Sequence, residues 1–275
     1  MDLIVLNEIL RFLFTFTIKM NFGKENLFHN NENYQLFLGN ALSILKEIPS
    51  NSISVILTDP PYFLSNNGIS CNSGKMVSVN KGKWDMKNSL SEIDDFNSKW
   101  LLESNRILNE DGTIWIFGTH HNLFSVGYIM KNIGFKILNT ITWVKKNPPP
   151  NLSCRYFTHS AEMLLWCKKN EKSKHYFNYE LMKEQNNGKQ MKDVWEIGGL
   201  KKSEKTFGKH PTQKPQEIIE RMLLASSKPG DIILDMFCGS GTTGVVANKH
   251  NRKFIGIDED INYLEISKKR LDDVA

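Results

Sequence analysis

The chain has 275 residues, 40% of them hydrophobic, and a formal net charge of +5. That length and composition fit one large domain, or a domain with a sizeable insert, allow a full core, argue against disorder, and fit an anionic partner without demanding one. The four cysteines, Cys71, Cys154, Cys167 and Cys238, form no Cys-x-x-Cys pair and have no histidine cluster beside them, so they read as reduced cytosolic thiols and not as a metal site or disulfide framework.

Met1 to Met20 is strongly apolar, but Asn7, Glu8 and Arg11 interrupt it, and no unbroken apolar run approaches the ~20 residues of a membrane span. It is expected to be a helix packed on the body or on a partner subunit, or else to precede a translation start at Met20. The second is preferred, because a plausible fold begins only near Tyr34. Tyr34 to Leu38 reads as a short strand and Ala41 to Ile48 as a helix, from the spacing of Leu42, Leu45 and Ile48. Ile53 to Leu57 is a β-branched, apolar run, so a βαβ start and a parallel sheet are expected.

That strand runs into Asp59-Pro60-Pro61-Tyr62. Pro60 restricts Asp59 to extended geometry and the paired prolines stiffen the backbone beyond it. A carboxylate, a carbonyl that no helix uses and a flat ring then lie within four residues, suited to holding a planar amine at the carboxyl end of a strand. The plainer alternative is a strand followed by a turn, since Asp-Pro commonly opens one. Phe63 to Trp84 carries Gly68, Gly74 and Gly82 with Lys75, Lys81 and Lys83. A structureless loop of about twenty residues is uncommon unless functional, and this one reads as a lid or a DNA-contact loop, or else as a surface insertion.

Ile93, Phe96, Trp100 and Ile107 mark a helix face, and Thr113 to Phe117 the next buried strand. Leu123 to Lys131 reads as a helix stopping at Gly134, and Phe135 to Trp143 and Glu162 to Trp166 as strands. Between the last two lies the rigid basic segment Lys145 to Asn151. From Lys168 to Lys214 there are 12 lysines and six acids, a net of +6, so the rest of the chain sums to about −1 and the basic charge is local, as an anion-binding face requires. Tyr176, Phe177, Tyr179 and Trp195 in this stretch are suited to stacking on bases, or equally to forming a satellite core. Order returns with a helix over Pro215 to Ser226, a strand over Asp231 to Asp235, a helix over Gly241 to Lys249, a strand over Phe254 to Asp258 and a closing helix over Ile261 to Leu271.

Asp235-Met-Phe237-Cys-Gly239-Ser-Gly241-Thr242-Thr-Gly244 joins a strand to a helix, and Asp258 ends the next strand 19 residues after Gly239. Glycines there allow a tight turn and a close approach by a ligand, and an acid at the next strand end can take ribose hydroxyls. Gly-x-Gly-x-x-Gly with such an acid is also the dinucleotide fingerprint, which makes a nicotinamide or flavin enzyme a competitor. Two features oppose it. Only 31 residues follow Gly244, too few for a two-part sheet, and Asp235 puts negative charge beside the turn. That charge suits a cationic ligand such as S-adenosylmethionine better than a pyrophosphate.

With these blocks in place, the chain resembles the amino-methylating DNA methyltransferases of the permuted β class. In that class Asp-Pro-Pro-Tyr comes first, a target-recognition region comes next, and the Phe-x-Gly-x-Gly cofactor block comes last. Asp59–Tyr62 and Phe237–Gly241 stand in that order here, and His210-Pro211-Thr212-Gln213-Lys214-Pro215 matches the lead-in to the cofactor block. The resemblance spans roughly Tyr34 to Leu271. It implies an α/β fold: a doubly wound, mostly parallel, Rossmann-like S-adenosylmethionine-dependent methyltransferase sheet with circularly permuted motif order and an inserted target-recognition region. The expected divisions are an extension over 1–33, a catalytic part over 34–167, a target-recognition insert over 168–209 and a cofactor-binding part over 210–275. The strands ending at Leu38, Asp59, Asp235 and Asp258 are expected side by side.

The implied activity is transfer of a methyl group from S-adenosylmethionine to N6 of adenine in DNA, within a restriction–modification system. The runs Asn147–His159 and Gly188–Trp195 look like GATC-recognising adenine methylases. Asp59 and the Pro60 carbonyl, stiffened by Pro61, would accept from the N6 hydrogens, and Tyr62, with Phe63, would stack the flipped base. Asp235, Phe237, Gly239, Gly241 and Thr242 would surround the methionine part of the cofactor, Asp258 its ribose and Asn40 its adenine, with Thr212 and Lys214 at its carboxylate. Asn40 stands where the family commonly has an acid, and its amide oxygen is expected to substitute. Lys75, Lys81, Lys83, Lys145, Lys146, Lys189 and Lys192 are the expected DNA contacts. DNA is the expected partner, a cognate endonuclease a functional one, a homodimer is compatible, and the cytoplasm is the expected compartment. Cytosine N4 methylation is the alternative, usually with serine in place of Asp59; a glutamine or RNA methylase and a non-enzymatic DNA-binding protein are more distant rivals.

Overall fold

The computed structural model describes residues 24–63, 68–72, 75–79, 89–148, 150–208 and 210–274, with the backbone alone described in 68–72 and 75–79. The readings of Met1–Met20, Lys81 and Lys83, and of the Lys75 side chain, lie outside these residues.

The strands of the main sheet, in chain order, are β1 (Leu27–Asn30), β2 (Tyr34–Leu38), β3 (Ile53–Thr58), β6 (Leu108–Gly118), β7 (Lys136–Val144), β8 (Ala161–Lys168), β9 (Val194–Glu196), β10 (Ile232–Asp235) and β11 (Lys253–Asp258); β4 (Gly68–Asn72) and β5 (Lys75–Val79) pair with each other apart from it. Spatial order in the nine-stranded sheet is β1-β2-β11-β10-β3-β6-β8-β7-β9. From β2 to β6 all neighbours are parallel, while β8 runs antiparallel to both β6 and β7.

Period-two alternation gives the central strands two buried faces. In β3, Ile56 faces one core while Val55 and Leu57 face the other, and the register shift between Ile53 and Val55 puts Ile53 on the face of Ile56; in β6, Ile114 and Ile116 oppose Trp115 and Phe117. On the first face lie helices α1 (Ala41–Glu47), α2 (Leu90–Ile107) and α3 (Leu123–Ile133). On the second lie α5 (Gln216–Ser226), α6 (Thr242–Lys249) and α7 (Ile261–Asp272). The sheet is doubly wound, as expected. Local signals fix the ends: Ser89 and Glu92 form a capping box for α2, and Gly134, at φ +107°, stops α3 in the left-handed conformation.

Two expectations need correction. The segment after Phe63 is not structureless, since β4 and β5 form an antiparallel hairpin within it. Nor is the lysine-rich stretch simply a solvated insert: β9 extends the main sheet parallel to β7, with a short helix α4 (Tyr179–Glu184) ahead of it. Trp195 on β9 is buried, its ring centroid 6.0 Å from that of Trp115, which stacks on Trp166 at 4.8 Å. Trp195 is therefore core, as the alternative reading has it, while Phe177 and Tyr179 are about 40% exposed.

Candidate active site

Parallel pairing brings the carboxyl ends of four strands to one edge. Leu38 lies opposite Asp258 in register, Asp235 opposite Gly256, and Leu234 opposite Ile56. Residues scattered from 38 to 258 thus converge at the point where open α/β sheets hold ligands.

Asp235 is buried at the end of β10. Its carboxylate accepts from Thr243 Oγ1 at 2.7 Å, from Thr58 Oγ1 at 3.2 Å and from the Phe237 amide at 3.2 Å. Burial pushes its pKa up to about 7, against those hydrogen bonds and reinforced by the nearby charge of Asp59. The turn after it depends on two glycines with positive φ, Gly239 at +50° and Gly241 at +72°. From below, the buried Arg270 guanidinium of α7 donates to the Ser240 carbonyl and to Thr242 Oγ1. From the side, Asp258 accepts the Gly239 amide at 2.8 Å and the Asp260 amide at 2.9 Å. A carboxylate has about four lone-pair sites, so Asp258 keeps acceptors for a ligand; burial also raises its pKa.

At the end of β3, Asp59 accepts from the Tyr62 hydroxyl at 2.7 Å and pairs with the Lys214 ammonium at 3.1 Å. Lys214 lies 3.1 Å from Glu162 as well, and Glu162 in turn pairs with Lys145. Burial alone would push the Glu162 carboxyl up; the two ammonium groups outweigh it and hold its pKa at about 2. Those two carboxylates likewise raise the pKa of Lys214 despite its burial.

Two cavities meet at this ion pair. The first, of about 590 Å³, is lined by Asn40, Asp59, Phe63, Asp235, Phe237, Gly239 and Asp258 among others; the second, of about 550 Å³, is lined by Asp59, Pro60, Tyr62, Trp143, Lys145 and Glu162. Asp59, Thr212, Gln213 and Lys214 border both. The first holds five acids (Asp59, Asp235, Asp258, Glu259, Asp260) against one lysine. His210, also on its wall, is kept neutral because burial and then the Lys214 charge lower its pKa to about 4. A volume of this size with an acidic lining fits a cationic, ribose-bearing ligand and is poor for a pyrophosphate.

Several expected residues sit differently from their expected roles. Phe63, at φ +55°, lines the first cavity and packs edge-on against Phe96 at 5.6 Å, whereas Tyr62 lines the second. The Asn40 oxygen caps α1 by accepting from Ser43, and its amide nitrogen donates to Glu259 at 2.6 Å; Glu259 supplies an acid at this corner. Lys214 is committed to two carboxylates and Lys145 to Glu162. Lys146, Lys189 and Lys192 are exposed. Sequence reasoning misses Glu162, Glu259, Thr243 and Arg270. The only local trace of Glu162 was an acid at the start of a strand; β8 runs antiparallel to the neighbouring β6, so its start falls at the same edge as the ends of β3 and β10.

The DNA methylase family model matches residues 53–269. The chain is 56% identical over 245 residues to the type II methyltransferase M2.LlaDCHI of Lactococcus lactis subsp. cremoris, covering 89% of this chain and 91% of that protein. It is 54% identical over 246 residues to the type II methyltransferase M2.DpnII of Streptococcus pneumoniae, covering 89% and 92%. Among solved structures, the M1.HpyAVI–SAM complex superposes with a TM-score of 0.63 at 26% identity, covering 86% of this chain and 99% of that one. The cytosine-N4-specific PvuII DNA methyltransferase gives a TM-score of 0.72 at 21% identity, covering 91% and 90%, a likeness of fold alone.

Proposed function

Starting from a chain that belongs to the DNA methylase family, we propose that Asp59 is its reacting-site carboxylate, that the first cavity takes S-adenosylmethionine, and that the second takes an adenine extruded from DNA. The observation that carries this reading is the shared wall: Asp59 and Lys214 border both cavities, so a methyl donor on one side and an amine on the other would meet there. S-adenosylmethionine, when bound, supplies an electrophilic methyl group.

The chain's own residues do the rest by position and charge. Asp235 and the glycine turn face the cationic part of the donor, Asp258 and Glu259 its hydroxyls, and Phe237, set edge-on to Trp100 at 6.2 Å, gives an apolar wall. On the other side Tyr62 offers a face for the base, and Asp59 with the Pro60 carbonyl accepts from the amino hydrogens, which aims the nitrogen lone pair at the cofactor side. As the nitrogen gains a methyl group it must give up a proton, and Asp59 is the acceptor beside it. No covalent enzyme intermediate is required.

The target reading is N6 of adenine, at GATC, within a type II restriction–modification system and alongside a cognate endonuclease in the cytoplasm. Among the described residues no helix is long and apolar enough to cross a membrane. The aspartate at position 59, where cytosine-N4 enzymes usually carry serine, favours adenine. The test is to sequence DNA from a host expressing the protein and to assay Asp59→Ala. Methylation at N6 of adenine is expected in one short site, and the variant is expected to bind S-adenosylmethionine but not to transfer. N4-methylcytosine in the product, or turnover by the variant, would overturn the assignment.

A further inference from the structure

Four charged side chains from four places in the chain alternate in sign: Asp59 at the end of β3, Lys214 ahead of α5, Glu162 at the start of β8, and Lys145 after β7. We propose that Glu162 is a positioning residue for methyl transfer, acting through Lys214 to hold the Asp59 carboxylate in its working orientation. The inference rests on the reading of Asp59 given above.

The geometry makes Asp59 a carboxylate gripped from two sides. One oxygen accepts from Tyr62 at 2.7 Å and the other faces Lys214 at 3.1 Å. Lys214 has no such constraint from its own flexible stem; its ammonium lies 3.1 Å from each of two carboxylates, so Glu162 shares it with Asp59. The aromatic faces of Phe117, at 5.0 Å, and Tyr62, at 5.6 Å, complete its surroundings. An ammonium facing Asp59 alone would collapse onto it and occupy the lone pairs that an incoming amine needs. Sharing the cation between two acids leaves Asp59 oriented yet with acceptor capacity. Stability by itself is a weak reason to keep such an array, since buried ion pairs commonly only break even against apolar replacements. Glu162 also lines the second cavity beside Trp143 and Lys145, opposite the expected position of the base.

The test uses the full chain with Glu162→Gln, which keeps the shape and one of the two acceptor oxygens but removes the charge, and Glu162→Asp, which keeps the charge on a shorter arm. With an adenine-containing duplex, at a temperature where the variant stays folded, Glu162→Gln is expected to lower the single-turnover transfer rate about tenfold or more, with the cofactor Kd and the KM for DNA close to wild type and a melting temperature lowered by the lost ion pairs. Glu162→Asp should recover part of the lost rate. Wild-type kcat in Glu162→Gln, a loss carried by KM or cofactor affinity, or a loss of rate matched by a loss of folding, each overturns the proposal. Inactive Asp59→Ala beside fully active Glu162→Gln removes only the positioning role. Full activity in both removes the reading beneath it.

Discussion

Lys214 places its ammonium 3.1 Å from the carboxylate of Asp59, across 155 positions of chain. Removing the cation leaves Asp59 without an ammonium beside it and Glu162 with Lys145 alone. Lys214→Met is therefore expected to lose both transfer activity and folding stability. Breaking a buried pair costs about 3–5 kcal/mol, and the partial exposure of these side chains puts the loss near the low end of that range. Chemical denaturation reads the stability and a labelled-methyl assay the activity. Unchanged values for both would mean that the ion pairs are not made in solution.

The glycine turn predicts a separable effect on cofactor binding. A Cβ on Gly241 would stand 2.0 Å from Ser267 Oγ, and one on Gly239 would stand 2.8 Å from the His210 ring. Both residues also hold positive φ, which costs an L side chain about 1–2 kcal/mol. Gly241→Ala must push α7 or the turn itself and is expected to reduce stability by about 2 kcal/mol or more. Gly239→Ala displaces only a ring end and should mainly weaken S-adenosylmethionine binding. Melting curves with and without the cofactor distinguish the two; equal shifts for both variants would contradict the asymmetry.

Strand content was legible because the central strands are short apolar runs, and β2 falls on the expected Tyr34–Leu38. The adjacency of Asp59, Asp235 and Asp258 was not in the periodicity. It came from the resemblance, since pairing across 177 residues leaves no local trace. The features that escaped share a cause. Glu162 belongs to the site only because β8 reverses direction, and strand direction is not encoded in a hydrophobic run. Trp195 reads alike as a base-stacking residue or a core residue until β9 is seen to join the sheet. Asn40 lines the first cavity, and its side-chain oxygen also caps α1, a second use that the residue type does not reveal.

Trp195 supplies a stability prediction. It is buried against Trp115, its indole N–H donates to the Lys192 carbonyl at 2.9 Å, and Arg221 lies over its ring at 5.2 Å. Trp195→Ala is expected to cost about 3–5 kcal/mol, as truncation of a buried aromatic does, and to shift the denaturation midpoint. An unshifted midpoint accompanied by a higher KM for DNA would return Trp195 to the interface instead.

The pH dependence of cofactor affinity is expected to follow Asp235. Burial is the main reason its pKa reaches about 7 in the folded protein, above the ordinary 3.8. With the folded pKa raised, the stability Asp235 contributes is fully present below about pH 4 and is lost as pH rises through about 7. A cation bound beside it reverses the preference, because binding favours the ionised carboxylate. Affinity for S-adenosylmethionine should therefore rise as pH increases from about 5.5 to about 7, by up to about tenfold per unit, and flatten above that as the group completes its ionisation. Calorimetry in buffers of different ionisation enthalpy should show a proton released on binding in the lower part of this range. Asp235→Asn removes the titrating group and should bind weakly with no slope there. A wild-type affinity that is level from about pH 5.5 to about 7 would show that Asp235 is already ionised in the empty site, or that it does not face the cationic part of the cofactor.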